Sequence, residues 1–201
     1  MNTIHHPSTM KIVIVILAVL FVLSVGWLTY GNIRAGSEAW QLVLSTILIS
    51  IPIGLFYSSI GLLVAAGLQR RAQGQIDERL AKIIYRAPRI AGVVIVVFVG
   101  LFSLDVFEEG YSLWEMLGGF IMHSLPAIAM AVTLALAWRR PWIGFLAFAA
   151  AALFFMRFVL GSPLESAGNV LLFSGPMAVI AMLFWANWKW LKAQSPAPRP
   201  Q

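Results

Sequence analysis

Residues Phe98 to Trp138 read FVGLFSLDVFEEGYSLWEMLGGFIMHSLPAIAMAVTLALAW. Two long apolar runs flank a short acidic turn. Each run is close to the ~20 residues that cross a bilayer core as helix. Working outward, the same unit recurs. Apolar blocks cover Ile12 to Tyr30, Trp40 to Leu68, Ile90 to Phe107, Leu113 to Trp138, Trp142 to Val159 and Val170 to Trp190. This pattern predicts an all-α, polytopic membrane helical bundle of six transmembrane helices.

Composition supports that expectation. Of 201 residues, 60% are hydrophobic and 11% charged, against about 25% charged in soluble domains. The net charge of +6 forms no single basic face, so nucleic acid is not an expected partner. The absence of Cys excludes disulfides, thiolate metal sites and cysteine nucleophiles. No cofactor or metal is expected. His5 and His6 sit in a short polar N-terminal segment rather than in a ligand set.

Charge placement gives an orientation. With the N-terminus inside, twelve of the 14 Lys and Arg residues fall on cytoplasmic segments, leaving Arg34 and Arg157 outside. This is the positive-inside pattern and predicts both termini in the cytoplasm. The eight Trp residues all lie near predicted span ends, at headgroup depth. Lys11 followed by an apolar run and Ser24-Val25-Gly26 also fits a signal peptide with a small-residue cleavage site. Continuation of the run through Trp27 and Leu28 favours an uncleaved first span.

Domain organisation follows from the blocks. Residues 1–68 are expected to form a transmembrane hairpin, with Pro52 kinking its second helix. Residues 69–89 are expected to form a cytoplasmic amphipathic linker. In it Ile76, Leu80, Ile83 and Ile84 share one helical face, and Glu78 and Lys82 are spaced to pair. Such a helix lies on a membrane surface or serves as a plain solvated connector. Pro88 is expected to end it. Residues 90–190 form a four-helix transmembrane domain, and residues 191–201 a Pro-rich, disordered tail.

Ionisable residues inside a bilayer are costly and are functional candidates by default. At about 1.5 Å rise per residue, Asp105, His123, Arg157 and Ser174 all sit about 23–26 Å above the cytoplasmic boundary, in the outer third of a core about 30 Å thick. His123 shares a four-residue row with Gly119, Ala127, Ala131 and Ala135. Small residues at that spacing mark close helix contact, so His123 is expected to face protein. On Asp105's helix, Gly92, Gly100 and Ser103 occupy a different face from the aspartate. One reading is a polar pocket open to the outer side, formed by these four residues, for a small anion or for protons. The other leaves Asp105 and Arg157 wet at the interface, with His123 making one interhelical hydrogen bond. Asn187, within WANWKW, reads as part of an interfacial anchor.

The segment from Arg89 to Trp190 resembles an uncharacterised family of small prokaryotic membrane proteins with a four-span domain of unknown function. The resemblance rests on LFSLDVFEEG (Leu101 to Gly110), Trp114-Glu115, Met122-His123-Ser124-Leu125-Pro126, Ala137-Trp138-Arg139-Arg140, Ser174-Gly175-Pro176 and Asn187-Trp188. It implies four packed helices in a prokaryotic plasma membrane and transfers no activity.

The chain shows no GxxxxGK[ST], HExxH or GxSxG motif, and no carboxylate spacing marks an acid/base pair. No catalytic residue is assigned. The expected function is that of a non-enzymatic structural or accessory membrane protein. Its partners are the lipid bilayer and either another membrane protein or further copies of itself. The alternative is a small-solute or proton-linked transporter or binding protein using Asp105, His123 and Arg157.

Overall fold

A computed structural model describes residues 7–107, 112–157 and 163–191. The described chain is an all-α bundle. Helix α1 (Pro7–Arg34) turns through Gly36 into α2 (Ala39–Gln73), and α3 (Glu78–Leu101) continues as a 3₁₀ turn (Phe102–Val106). Helix α4 (Leu113–Arg139) is followed directly by α5 (Pro141–Met156). The last rod is composite. Helix α6 (Pro163–Asn169) passes through a π turn (Val170–Ser174) into α7 (Gly175–Ala186), which runs into a second π turn (Asn187–Leu191).

Five of the six rods are long and apolar enough to cross a membrane. The exception is α5, at 16 residues. It rises about 24 Å, short of a core about 30 Å thick. The expected fifth span extended to Val159, which lies outside the described residues.

Local chemistry sets the helix ends. Ser112 caps α4: its backbone N–H donates to Glu115 Oε2 at 2.9 Å and its hydroxyl to the same oxygen at 2.7 Å, following the S-x-x-E capping pattern. The α4–α5 corner needs one residue, Arg140, because Pro141 has φ preset for a first helical position. Gly74 ends α2 with φ +72° and donates to the Arg70 carbonyl at 2.9 Å. This is a left-handed cap that an L side chain resists.

The core sits among α3, α4, α5 and α7. Its centre holds Ile95, Met130, Leu134, Phe148, Ile180 and Phe184, all nearly inaccessible. Two glycines set the helix spacing. A Cβ on Gly144 would lie 2.7 Å from the Phe184 ring, and one on Gly92 2.7 Å from Leu134. The expected small-residue face of α3 is therefore its contact with α4, and a Cβ on Gly100 would lie 3.7 Å from that of Ala127. Helix α2 packs on α7 and α3, and α1 packs on α2.

Three expectations change. First, no separate surface helix spans residues 69–89. Helix α2 runs on to Gln73, and α3 runs unbroken from Glu78 through a buried Pro88. Ile76 and Ile84 are buried and pack with Ala66 and Ala186, with Leu80 partly covered beside them, whereas Ile83 is exposed. The exposed Glu78–Lys82 pair does form, at 2.7 Å. Second, Pro88 does not end a helix as expected; it lies inside α3. Third, Asp105 falls in the 3₁₀ turn rather than in the α-helix, which ends at Leu101.

Candidate functional site

Two levels of the bundle carry polar side chains. At the end where α3 begins and α4 and α7 finish, Arg89 is 4% exposed although it is a full cation. Sequence explains why it can stay there. Pro88 has no N–H, so the carbonyl one turn back, Ile84, loses its helical donor. The next carbonyl, Tyr85, accepts two side-chain donors. One is Arg89 Nη1. The other is Asn187 Nδ2 at 3.3 Å. Arg89 Nη2 donates to the Trp138 carbonyl at 3.0 Å. That carbonyl belongs to the last turn of α4, whose acceptors lack helical partners and carry negative partial charge. The guanidinium carbon lies 3.8 Å from the Tyr85 ring centroid and 5.9 Å from that of Trp138. One arginine and one asparagine thus tie α3, α4 and α7 together. Arg89 Nε alone has no partner among the described residues.

At the opposite end the sequence-derived candidates are spread out. Asp105 lies in the 3₁₀ turn, and its side chain falls outside the described residues. His123 is exposed on α4, and its Nδ1 lies 2.9 Å from the Gly119 carbonyl of its own helix. Within the single chain the ring does not face protein as expected. The buried face of α4 is Ala127, Met130, Leu134 and Ala137. A strict four-residue row advances about 40° around a helix at each step, so Ala131 and Ala135 wind off this face and are exposed. Arg157 is exposed at the end of α5. Ser174 is 1% exposed in the π turn. No hydrogen bond or ion pair joins His123, Arg157 and Ser174 to one another. The interior at this level holds an aromatic cluster, with Phe155 stacked on Phe173 at 5.2 Å and Phe173 against Phe98 and Phe102 at 5.8 and 5.3 Å. Among the described residues no three His, Asp or Glu side chains gather to hold a metal ion.

A family described as "Domain of unknown function (DUF7670)" matches residues 77–197. The chain belongs to this family. The DUF7670 match begins at Asp77, the residue whose carboxylate caps α3 by accepting from Leu80 N–H at 2.9 Å. It therefore takes in residues 77–89 of the stretch assigned by sequence to a linker, and α1 and α2 precede it. The Arg89 clasp, with Tyr85, Trp138 and Asn187, lies wholly within the DUF7670 region, as do Asp105, His123, Arg157 and Ser174. No curated protein and no solved structure matches the chain.

The clasp was missed by sequence reasoning, which counted Arg89 only as a flanking charge and Asn187 only as part of an interfacial anchor. A usable signal existed. A cation at the head of an apolar run, four residues after a tyrosine on the same helix, is placed to reach that residue's carbonyl and ring.

Proposed function

We propose that this is a multi-pass integral membrane protein of the prokaryotic plasma membrane. The Lys/Arg-rich end lies in the cytoplasm, and the role is structural or accessory to other membrane proteins rather than catalytic. One observation carries the reading: polar side chains within the helices are used to join helices. Besides the Arg89 clasp, α1 and α2 share three such links. Ser24 and Tyr57 hydroxyls lie 2.9 Å apart, Thr29 and Thr46 hydroxyls 3.1 Å apart, and Asn32 Nδ2 donates to Ser45 Oγ at 3.1 Å. In lipid, polar pairs and small residues are the main specific adhesives between helices. The exposed Ala131 and Ala135 offer α4 a smooth outer face for a second protein or a second copy.

The test is cross-linking and co-purification from lipid nanodiscs. Ala131→Leu is expected to dissociate a stoichiometric complex while leaving the melting temperature of the isolated chain unchanged. A complex that survives the substitution contradicts this use of the face.

The alternative is a solute-binding or proton-linked role for Asp105, His123, Arg157 and Ser174. It is favoured by two buried hydroxyls, Ser124 Oγ and Ser174 Oγ, that lack hydrogen-bond partners among the described residues. It predicts liposome flux or ligand binding that depends on pH and disappears in His123→Ala.

A further inference from the structure

We propose that the groove between the last turns of α2 and the second π turn holds an anionic phospholipid. Its phosphate rests on Arg70 and Arg71, and an acyl chain runs along Val64, Gly67 and Leu68. The inference rests on the membrane placement proposed above.

The groove has a volume of about 600 Å³ and is lined by Val64, Gly67, Leu68, Arg70, Arg71 and Trp190. Its chemistry is divided by height. The two guanidiniums are at the end of α2, one turn beyond an apolar wall. Among the described residues neither is paired with a carboxylate. Arg70 is instead steered by stacking, its guanidinium carbon 5.3 Å from the Trp190 ring centroid. Trp190 is itself held edge-on by Trp185 at 5.5 Å. A guanidinium stacked on an aromatic face keeps its in-plane N–H donors free, and these match phosphate oxygens.

The nearest carboxylate along the chain, Asp77, is engaged elsewhere. It accepts from Gln69 Nε2 at 2.5 Å and from Leu80 N–H. The wall below is open, since a Cβ built on Gly67 meets nothing within 4 Å. An anion at one end and a chain-wide apolar channel below it fit an amphiphile lying parallel to the helix. Free phosphate would leave the channel unfilled. Basic pockets between helices at the cytoplasmic face bind anionic headgroups in this way.

The experiment uses the full chain in mild detergent. Native mass spectrometry and melting curves are recorded with phosphatidylglycerol, with phosphatidylcholine of the same acyl chains, and with inorganic phosphate. Phosphatidylglycerol is expected to bind and raise the melting temperature where the other two do not. The double variant Arg70→Ala, Arg71→Ala is expected to weaken that binding about thirtyfold. Gly67→Leu fills the channel. It should reduce lipid binding while leaving the lipid-free melting temperature unchanged, so a folding defect cannot imitate the result. Equal binding of phosphatidylcholine, equal protection by inorganic phosphate, or unaltered binding in the variants overturns the proposal. Alkaline carbonate extraction of native membranes separates the two levels. Release of the protein ends both readings, whereas retention without a phosphatidylglycerol preference ends this one alone.

Discussion

The hairpin α1–α2 and the family region from Asp77 onward are built from similar residues but held together differently. In the hairpin's first helix, 6% of the apolar window is buried, against 44% in α3 and in the composite last rod. Most of α1 is left exposed, and its polar attachment to α2 is through hydroxyl and amide pairs. The family region has an interior of interlocked aromatic and branched side chains, with a buried cation joining three helices at one end. Hydrophobicity alone does not distinguish the two regions, because lipid satisfies an exposed leucine as well as a protein neighbour does. Packing geometry and buried polar groups make the difference.

That contrast can be broken. Arg89→Leu removes donors from the Tyr85 and Trp138 carbonyls in a dry environment. The expected loss is about 3 kcal/mol, read as a lower midpoint in denaturant titration of the detergent-solubilised protein. Gly144→Leu drives a side chain into the Phe184 ring and should cost about 2–3 kcal/mol, visible in the same titration. Gly74→Ala places a Cβ at φ +72° and should cost about 1 kcal/mol, with faster proteolysis at the α2–α3 corner.

In the hairpin, Ser24→Ala should cost only about 0.6 kcal/mol. A hairpin substitution as damaging as Arg89→Leu would erase the distinction between the two regions.

The smallest effect sharpens the boundary between them. Hydrogen bonds from Leu80 N–H and the Gln69 amide hold the Asp77 carboxyl below its ordinary value of 3.8. The folded-state value is depressed, so the stabilisation is fully present above 3.8 and fades as pH falls from there through the folded value. Hydrogen exchange at the first turn of α3 should accelerate over that acidic interval, and Asp77→Asn should flatten the response.

Much of the fold was legible. Apolar blocks of membrane length located the rods, the fourth of them starting at Leu113 as expected, and Trp138 and Trp142 bracketed the tight corner between α4 and α5. What failed depended on rotation about a helix axis or on distant partners. Pro88 reads as a terminus because the helix's continuity there goes with tertiary contacts, among them Asn187 on the Tyr85 carbonyl, that lie far along the chain. The facing of His123 could not follow from a row of alanines, since that row winds away from the buried stripe within one or two turns. Of the candidate residues, Ser174 is the one the fold buries, and it lies in a π turn that no local propensity announces.

That π turn has a consequence for sequence length. Gly175 N–H bonds the Val170 carbonyl five residues back, and a Cβ on Gly175 would lie 2.5 Å from that oxygen. The turn holds one residue more than an α-helical turn would. Deleting a single residue between Val170 and Ser174 can therefore be absorbed by relaxation to ordinary helix, with downstream side chains keeping their directions. A one-residue deletion in the middle of α3 has no such slack and would swing everything beyond it by about 100°. Natural length variation in this family should accordingly concentrate at this turn and avoid the uninterrupted rods.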